Sequence, residues 1–368
     1  MKFFLLFITF IHLCILVSST PKGSNLYQRP SCSISDPFPI VFKEEYKGDI
    51  NFLVIGDWGQ HGPGTGQTPV ADAMKTWADK NHTTFVLNLG DSFYQTSNAS
   101  TTNVTDQVDH EGVLSKDDPK WKSYWLDVYG GQLKNVRWFS VAGNHDWYSN
   151  VAAEVDYFWD NDSRFFLPSL YYVRKVTFGK DISAVFIHID TDPFYYNYTA
   201  YTRENNLKAT LQEFNLYTYD QITARLNWIE QQLIDNQDAD WLFVVGHHPL
   251  VGDCGLENTA QSYLMYLIPP VLAKHNASGY FNGHTHELSY MAPSSSSGVA
   301  YFGSGAGGAT LGAGCANPTW SAPFTFGFLS ISIPEDGKIL SFEFVKANST
   351  DTDPSVIYSG TINSRKCS

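Results

Sequence analysis

The chain alternates short apolar runs with longer segments in which apolar residues recur every three or four positions. Short apolar runs are typical of buried strands, and the helical period is typical of amphipathic helices. The predicted strands are residues 52–55, 85–89, 136–142, 182–190, 241–245 and 280–282. The predicted helices are residues 69–80, 221–234 and 261–275, the last interrupted at Pro269 and Pro270.

The last third of the chain changes to strands alone, predicted at residues 300–302, 328–333 and 339–345. Strand–helix alternation followed by consecutive strands predicts an α/β fold, a four-layer α/β/β/α sandwich of two mixed β-sheets flanked by helices. No repeat or linker divides it, so we expect one catalytic domain over residues 45–368 after an N-terminal extension, 20–44. The polar stretch 96–119 is predicted to be an exposed insertion.

The N-terminus has the pattern of a signal peptide over residues 1–19. Lys2 precedes an apolar run over residues 3–17, and small residues follow it. An uncleaved anchor is the alternative, but the run is short for a bilayer. Seven N-x-S/T sequons agree with export to a secreted or lysosomal location without a membrane anchor. They begin at Asn81, Asn98, Asn103, Asn161, Asn197, Asn276 and Asn348.

Four of the five cysteines follow the signal peptide, and an even number suits two disulfides in an oxidising compartment. Three pairings are possible. We favour Cys32 with Cys367, which ties the termini together, and Cys254 with Cys315, which ties two loops. Buried free thiols are the alternative.

The composition and net charge of the chain limit the kinds of molecule that it can bind. The 368 residues are 43% hydrophobic, enough for a sizeable core, and the formal net charge is −13. Such an acidic chain is a poor partner for nucleic acid or for an anionic membrane surface. A phosphorylated substrate would therefore need a local source of positive charge.

Five short polar motifs each follow a predicted strand. They are Gly56-Asp57-Trp58-Gly59, Gly90-Asp91-Ser92-Phe93-Tyr94, Gly143-Asn144-His145-Asp146, Gly246-His247-His248-Pro249 and Gly283-His284-Thr285-His286. The carboxyl ends of strands in α/β sheets form the ligand crevice, so these motifs are expected to meet. Any one motif alone is more often a turn or a structural hydrogen bond, but five in this order predict a common site.

The residue types are those of a binuclear metal centre. Carboxylate and amide oxygens suit hard cations, and imidazole suits iron, zinc and manganese. Asp91 has two oxygens with which to bridge a pair of metal ions. Tyr94 is expected to bind as a phenolate, which requires a strongly acidic ion such as ferric iron.

In this order the motifs resemble those of the metallophosphoesterase superfamily, GDxG, GDxxY, GNHD, VxxH and GHxH. The tyrosine in the second motif resembles the purple acid phosphatase branch. The resemblance covers about residues 45–345, including residues 164–168 and 267–275. The single domain resembles the small, tartrate-resistant form.

The resemblance implies a role for each motif residue. Asp57, Tyr94 and His286 would hold Fe(III), and Asp91 would bridge. Asn144, His247 and His284 would hold a divalent iron, zinc or manganese ion.

It also implies that His145 meets the substrate phosphate and protonates the leaving group. Asp146 would orient His145 or, equally well, cap the turn.

The chain departs from the family after His247. The small mammalian-type enzymes have a Glu-His pair about eight or nine residues after the VxxH motif, whereas residues 252–258 of this chain contain no histidine, and Glu257 is a plausible stand-in. His248 either faces the substrate or packs. The second acid–base group is therefore in doubt.

The function implied is an acid phosphatase that hydrolyses phosphate monoesters, small molecules or phosphoproteins, as a monomer with a metal-bound hydroxide. Two alternatives remain: a phosphodiesterase or pyrophosphatase on this scaffold, and a secreted iron-binding or transport glycoprotein with little turnover. Residues 303–308 match G-x-G-x-x-G, but no helical pattern follows, so a loop near the metals is favoured over a dinucleotide site.

Overall fold

Two mixed β-sheets form the centre of the molecule in the computed structural model, which describes residues 29–97, 110–195, 219–251, 260–295, 297–312, 318–347 and 354–366. The strands up to the middle of the chain are β1 (Phe42–Tyr46), β2 (Ile50–Ile55), β3 (Phe85–Asn88), β4 (Arg137–Ser140), β5 (Phe165–Phe166), β6 (Tyr172–Phe178) and β7 (Ile182–His188). The later strands are β8 (Trp241–Val245), β9 (Gly279–Asn282), β10 (Leu288–Met291), β11 (Ala300–Ser304), β12 (Trp320–Ala322), β13 (Gly327–Ile333), β14 (Ile339–Lys346) and β15 (Ser355–Asn363).

The α-helices lie mostly between the strands of the first two thirds. They are α1 (Gln67–Asn81), α2 (Asn144–Trp147), α3 (Val151–Asp160), α4 (Asp192–Tyr195), α5 (Tyr219–Asp235) and α6 (Ala260–Lys274). A π-helical segment, Trp121–Leu126, and a 3₁₀ segment, Gly131–Lys134, precede β4.

One sheet has the strand order β1-β6-β7-β8-β9-β11-β10-β12, and the other has the order β15-β14-β13-β2-β3-β4-β5. At the centre of each sheet the neighbouring strands are parallel: β2 with β3, β3 with β4, β7 with β8, and β8 with β9. Parallel strands are buried on both faces, which explains why they are nearly continuous apolar runs in the sequence. Their carboxyl ends lie at one edge of each sheet.

Aromatic rings fill the space between the two sheets. Phe52 of β2 lies 5.7 Å from Phe186 of β7 and 6.2 Å from Phe281 of β9, ring centroid to centroid. Phe85 of β3 also meets Phe186 at 5.8 Å. Such edge-to-face pairs contribute about 0.5–1.5 kcal/mol each beyond the area that they bury. The sheets therefore pack face to face, as predicted.

Helices cover the outer faces and complete the four-layer sandwich. Helix α1 packs on β2 and β13 of the second sheet. Residues Ile229 of α5 and Leu264 and Ile268 of α6 are fully buried in a cluster with Leu242 and Val244 of β8. The predicted α/β/β/α architecture is confirmed.

Helix α6 continues through Pro269 and Pro270, where we predicted an interruption. Each proline removes a backbone N–H, which costs a helical hydrogen bond. Leu264, Ile268 and Leu272 are fully buried along one face of this helix. Their burial holds the segment in helical conformation despite the missing donors.

The prediction that residues 96–119 form an exposed insertion is confirmed only in part among the residues that the structure describes, since Leu114, Ser115, Asp117 and Pro119 are exposed but others are not. Thr96, Val113 and Asp118 are buried. The Asp118 carboxylate accepts a hydrogen bond from the backbone N–H of Leu114 at 2.8 Å and of Lys120 at 2.9 Å. The carboxylate thereby satisfies the backbone donors of a polar turn, which allows the segment to be buried.

The boundary that we predicted between residues 44 and 45 falls inside strand β1. This strand pairs in parallel with β6, from Phe42 opposite Arg174 to Tyr46 opposite Phe178. Its five residues carry three charges, so the apolar pattern that predicts buried strands is absent. β1 was missed because it is an edge strand.

Arg174 of β6 is a fully buried cation in the core. Its guanidinium donates to Glu44 Oε2 from Nε at 3.1 Å and from Nη2 at 2.5 Å. The guanidinium carbon lies 3.1 Å from the ring centroid of Phe139 and 4.5 Å from that of Phe85. Glu44 therefore ties β1 to the centre of the molecule through a buried ion pair.

Most of the predicted export features lie outside the described residues. These features are the signal peptide 1–19, Cys254, Cys315, Cys367 and the sequons at Asn98, Asn103, Asn197 and Asn348. Cys32 is described and half-buried, but its predicted partner and both cysteines of the other pair lie outside the described residues, so both disulfides remain predictions. Asn161 and Asn276 are exposed, and Asn81 is half-buried at the end of α1. None of the helices in the described ranges combines the length and the apolar character needed to cross a membrane.

Candidate metal centre

The seven residues predicted as metal ligands converge at the edge where the parallel strands end. Asp57 follows β2, Asp91 and Tyr94 follow β3, Asn144 follows β4, His247 follows β8, and His284 and His286 follow β9. The site therefore receives residues from both sheets. The structure divides them into two donor sets that share Asp91.

The first donor set surrounds the hydroxyl of Tyr94. This oxygen lies 3.1 Å from Asp57 Oδ1, 2.9 Å from Asp91 Oδ2 and 3.1 Å from His286 Nε2. His286 Nε2 in turn lies 3.3 Å from Asp57 Oδ1. Four donor atoms from three motifs thus lie around one point.

The second donor set surrounds Asn144 Oδ1. That oxygen lies 2.9 Å from His284 Nδ1 and 3.2 Å from His247 Nε2, and the two ring nitrogens are 3.2 Å apart. His247 Nε2 is also 3.3 Å from Asp91 Oδ2. The same oxygen of Asp91 therefore faces both sets, as a bridging ligand would.

Hydrogen bonds behind the site fix two of the histidine rings. Nδ1–H of His247 donates to the backbone oxygen of Leu89 at 2.8 Å, and Nδ1–H of His286 donates to that of Thr310 at 2.6 Å. With Nδ1 donating to the backbone, Nε2 faces the site and can bind a metal ion once it carries no proton. This arrangement is the one in which proteins present histidine to a metal.

The backbone at the site is held in an unfavourable conformation. Asp57, Asp91, His284 and His286 all have positive φ, between 48° and 71°. A non-glycine residue in this region costs of order 1 kcal/mol or more, and such residues cluster at functional sites. The strain aims the side chains at a common point.

At Gly143 and Gly283, the first residues of two of the five motifs, no larger residue fits. A Cβ on Gly143 would lie 2.3 Å from Asp91 Oδ1, and one on Gly283 would lie 2.4 Å from Asp57 Oδ2. The carboxylates therefore pack directly on glycine backbone.

The donor atoms fit a pair of cations better than they fit each other. Tyr94 has one proton for three surrounding acceptors, and neither Asp57 nor Asp91 carries a proton when ionised. Buried carboxylates, imidazole lone pairs and an amide oxygen within about 3.3 Å are left with too few donors. Metal ions would satisfy them all, and the ligand types suit iron, zinc or manganese.

The charges of the site shift its pKa values strongly. Burial would raise the pKa of the Asp91 carboxyl, but His247 and His145 outweigh it and hold that pKa well below its usual range. Burial would lower the pKa of His247, but the carboxylate of Asp91 outweighs it and raises the value to about 9. Burial, reinforced by Asp57 and Asp91, raises the pKa of Tyr94 well above its ordinary value. Only a strongly acidic cation would make Tyr94 a phenolate.

Metal uptake by metal-free protein is expected to release a proton from His247 and to tighten as the pH rises towards about 9. A histidine must be neutral to bind a metal, and the raised pKa keeps His247 protonated at neutral pH. While Asp91 is ionised, the raised pKa of His247 stabilises the metal-free protein fully below pH 6.5, and this effect is lost as the pH rises through about 9. Protonation of Asp91 in strong acid removes it as well. Calorimetric Zn²⁺ titration in buffers of different ionisation enthalpy measures the released protons. The exposed His82→Ala variant should release as many as wild type, and no release by wild type would contradict the prediction.

His145 contacts Glu111, a residue that the sequence analysis did not single out. Nδ1 of His145 lies 2.9 Å from Glu111 Oε2. Of the two roles predicted for Asp146, orienting His145 or capping the turn, its contacts favour the second. Asp146 accepts the backbone N–H groups of Asp91 and Ser92 at 2.9 and 3.0 Å and of Gly143 at 2.9 Å. It caps the turns that carry the site, which was the alternative.

His248 is fully buried, and its ring stacks on Tyr195 with centroids 4.1 Å apart. Its Nδ1 lies 2.8 Å from Thr191 Oγ1, and the His247, His248 and His284 ligand atoms lie within 4.8 Å of one another. The contacts favour packing over substrate contact. Glu257 lies outside the described residues.

The loop after β11 packs against the first motif. A Cβ on Gly305 would lie 2.8 Å from Asp57 Oδ2, and one on Gly307 would lie 2.4 Å from the backbone oxygen of Gly56. The next element in the described residues is strand β12, so no helix follows the glycine-rich sequence as a dinucleotide site requires. The glycines allow this loop to approach the candidate metal centre.

Comparison with known proteins relates the chain to phosphoesterases. The family model described as calcineurin-like phosphoesterase matches residues 50–288. Purple acid phosphatase 7 of Arabidopsis thaliana is 28% identical over 256 residues, 68% of either chain. Tartrate-resistant acid phosphatase type 5 of Oryctolagus cuniculus is 26% identical over 268 residues, 70% of this chain and 73% of its own.

Among solved structures, GAP50, the anchor in the inner membrane complex of Plasmodium, has a TM-score of 0.63 at 21% identity, covering 86% of this chain and 90% of its own. Purple acid phosphatase PPD1 from yellow lupin (Lupinus luteus) has a TM-score of 0.54 at 16% identity, covering 86% and 54%. These two likenesses concern the fold. With the family model covering most of the chain, the protein belongs to the calcineurin-like phosphoesterase family, and its relatives there include purple acid phosphatases.

Proposed function

We propose that the protein is an acid phosphatase that hydrolyses phosphate monoesters at a pair of metal ions, Fe(III) and a divalent ion. The observation that carries the proposal is the position of the Tyr94 hydroxyl, within 3.1 Å of Asp57 Oδ1, Asp91 Oδ2 and His286 Nε2. A phenol in a set of hard anionic donors favours a ferric ion in the first set. Asn144, His247 and His284 would hold the divalent ion in the second.

Two bound cations would supply the positive field that an acidic chain lacks and would acidify a bound water. The chain itself supplies the placement of charge. Asp91 presents one oxygen to both donor sets, while its other oxygen accepts the backbone N–H of His145 at 2.7 Å. The same carboxylate thus links the donor sets to the residue proposed to meet the substrate.

His145 is the candidate proton donor for the leaving group. Its side chain is about four-fifths buried, and Nε2 lies 4.0 Å from Asp91 Oδ2, on the side of the donor sets. A histidine donates only when it is protonated, so we expect an acidic optimum. We expect no covalent phosphoenzyme, since an activated water would be the nucleophile and no side chain is needed in that role.

Two other functions use the same residues differently. A phosphodiesterase or pyrophosphatase would share the motifs, but the tyrosine in the first donor set favours the ferric branch. An iron-binding glycoprotein would need the donor sets but not His145, which lies beside them. The fold alone does not decide, because the similar structure of GAP50 is described as an anchor.

Substrate comparison tests the proposal. Purified, metal-loaded protein would be assayed for release of product from an aryl phosphate monoester, the matching diester and inorganic pyrophosphate at pH about 5. We expect the monoester to be hydrolysed with the highest kcat/KM. A higher kcat/KM for the diester or for pyrophosphate would favour a phosphodiesterase or a pyrophosphatase. Bound iron without turnover of any of the three substrates would favour an iron-binding protein.

Tyr94→Phe is expected to remove any visible absorption of the iron-loaded protein, because that band requires phenolate bound to Fe(III). The phenyl ring keeps the buried packing and deletes only the oxygen. Absorption spectra with iron content measured on the same sample check this result. The matched control is Tyr148→Phe, whose ring also contacts His145 but lies outside the donor sets. An unchanged band in Tyr94→Phe would refute the assignment of Tyr94 as a ferric ligand.

We further propose that the protein enters the secretory pathway and acts as a monomer, secreted or lysosomal. Its substrates would be small phosphate monoesters or phosphoproteins rather than nucleic acids. The acidic composition and the sequons at exposed Asn161 and Asn276 support this proposal.

A further inference from the structure

Glu111 lies next to the proposed proton donor and is outside all five motifs. Its Oε2 is 2.9 Å from His145 Nδ1 and accepts the backbone N–H of Gln95 at 3.0 Å. The Glu111 side chain is 16% exposed and that of His145 is 18% exposed. The pair is therefore partly shielded from water, at the edge of the candidate metal centre.

The backbone around Glu111 is held on both sides. The buried Lys120 side chain donates from Nζ to the backbone oxygens of His110 and Gly112, at 2.6 and 2.7 Å. Gly112 has φ +53° and donates its N–H to the backbone oxygen of Phe93 at 2.8 Å. One lysine thus binds the carbonyl groups that flank Glu111.

Gly112 lets this segment lie against the motif that carries His145. A Cβ there would lie 3.0 Å from the backbone oxygen of His145 and 3.1 Å from that of Asp146. The approach is close enough for the Glu111 carboxylate to reach the imidazole. Such tight placement distinguishes Glu111 from a glutamate on a surface loop.

The hydrogen bond determines which nitrogen of His145 faces the substrate. A carboxylate is an acceptor only, so Nδ1 must carry the proton in this contact. Nε2 is then directed towards Asp91 and the donor sets. A carboxylate that holds one imidazole nitrogen so that the other transfers a proton is the arrangement of hydrolytic triads.

We propose that Glu111 is a positioning residue that holds His145 for proton transfer to the leaving group, an inference that rests on the proposed phosphatase function. As water adds to phosphorus and the P–O ester bond breaks, the Nε2 proton passes to the departing oxygen. The products are phosphate and an alcohol, and solvent returns a proton to Nε2. Glu111 keeps its Nδ1 hydrogen bond throughout and does not touch the substrate.

The experiment compares leaving groups in Glu111→Ala. We expect kcat/KM for an alkyl phosphate to fall by about 10–100-fold, the usual effect of losing such a partner. For 4-nitrophenyl phosphate we expect less than about a 3-fold loss, because nitrophenolate departs without protonation. Glu335→Ala, an exposed glutamate, is the control and should match wild type on both substrates.

Two further variants separate positioning from structure. In Glu111→Gln the amide oxygen can still accept hydrogen bonds from Gln95 N–H and from His145 Nδ1–H. We therefore expect log(kcat/KM) for the alkyl phosphate to recover more than half of the decrease measured in Glu111→Ala. In a His145→Ala background, Glu111→Ala should change kcat/KM by less than about 2-fold, since the residues act as one unit. Metal content and thermal unfolding of each variant show whether it folds and keeps its ions.

The outcomes distinguish this inference from the function on which it rests. The role of Glu111 would be overturned if Glu111→Ala lowered kcat/KM equally for both substrates. It would also be overturned if Glu111→Ala lowered kcat/KM in the His145→Ala background as much as it does in wild type. Neither result would contradict the proposed phosphatase function. The rings of Tyr94 and Tyr148, 4.2 and 5.1 Å from that of His145, would then suffice to orient it. If wild type hydrolyses neither substrate, the proposed function itself fails.

Discussion

Replacing Asp91 with asparagine is expected to lower kcat/KM for a phosphate monoester by at least about 10³-fold. Asp91 Oδ1 accepts the His145 backbone N–H, so the amide oxygen of the variant takes this place. The NH₂ group then lies where Oδ2 now faces both donor sets. It would point its hydrogens at the Tyr94, Asp57 and His247 donor atoms and would leave the two metal ions without a shared anionic ligand.

Asparagine suits this test because the backbone should not change. Asp91 has φ +50°, a region that asparagine tolerates about as well as aspartate. The measurement is phosphate release by equal amounts of folded wild type and variant, with metal content determined on both. Asp336→Asn, at an exposed position, is the control and should behave like wild type. A variant that keeps more than about a tenth of wild-type activity would show that Asp91 is not a bridging ligand.

Glu44→Ala is expected to lower the free energy of unfolding by about 3–5 kcal/mol. Arg174 is fully buried, and Glu44 holds both its Nε and its Nη2. Removing Glu44 leaves a guanidinium in the core whose desolvation is offset by neighbouring aromatic rings, those of Phe139, Phe85 and Phe186. Chemical denaturation measures the difference between variant and wild type.

The neighbouring residue supplies a matched control. Glu45 lies on the same strand, but its side chain is exposed, and Glu45→Ala should change stability by less than about 0.5 kcal/mol. The double variant Glu44→Leu with Arg174→Met removes both charges and should recover most of the loss. If Glu44→Ala were no more destabilising than Glu45→Ala, the ion pair would not anchor β1.

The parallel strands at the centre of the fold could be predicted from the sequence because they are buried on both faces and are therefore short, continuous apolar runs. Strands β2, β3, β8 and β9 lie within one or two residues of their predicted positions. The site residues could be proposed together for the same reason, since each motif follows one of these strands. The topology brings them to a common edge.

What the sequence did not predict depends on contacts between distant residues. β1 is an edge strand with charged residues, and its Glu44 forms an ion pair only because the fold places Arg174 of β6 beside it. Glu111 lies in a polar stretch with no periodicity, and its position depends on Lys120 and on Gly112 with positive φ. The sequence signal was a glycine, Gly112, directly after the acidic Glu111. This signal can be interpreted only once the fold shows that the segment lies against His145.

The proposed two-metal phosphatase is tested most directly by phosphate release from 4-nitrophenyl phosphate at pH about 5, followed while metal-stripped protein is reloaded with iron and a divalent ion. We expect no release from stripped protein and activity that rises with occupancy up to two metal ions per chain. A fully loaded protein that releases no phosphate, or a stripped protein that keeps its activity, would show that this function is wrong.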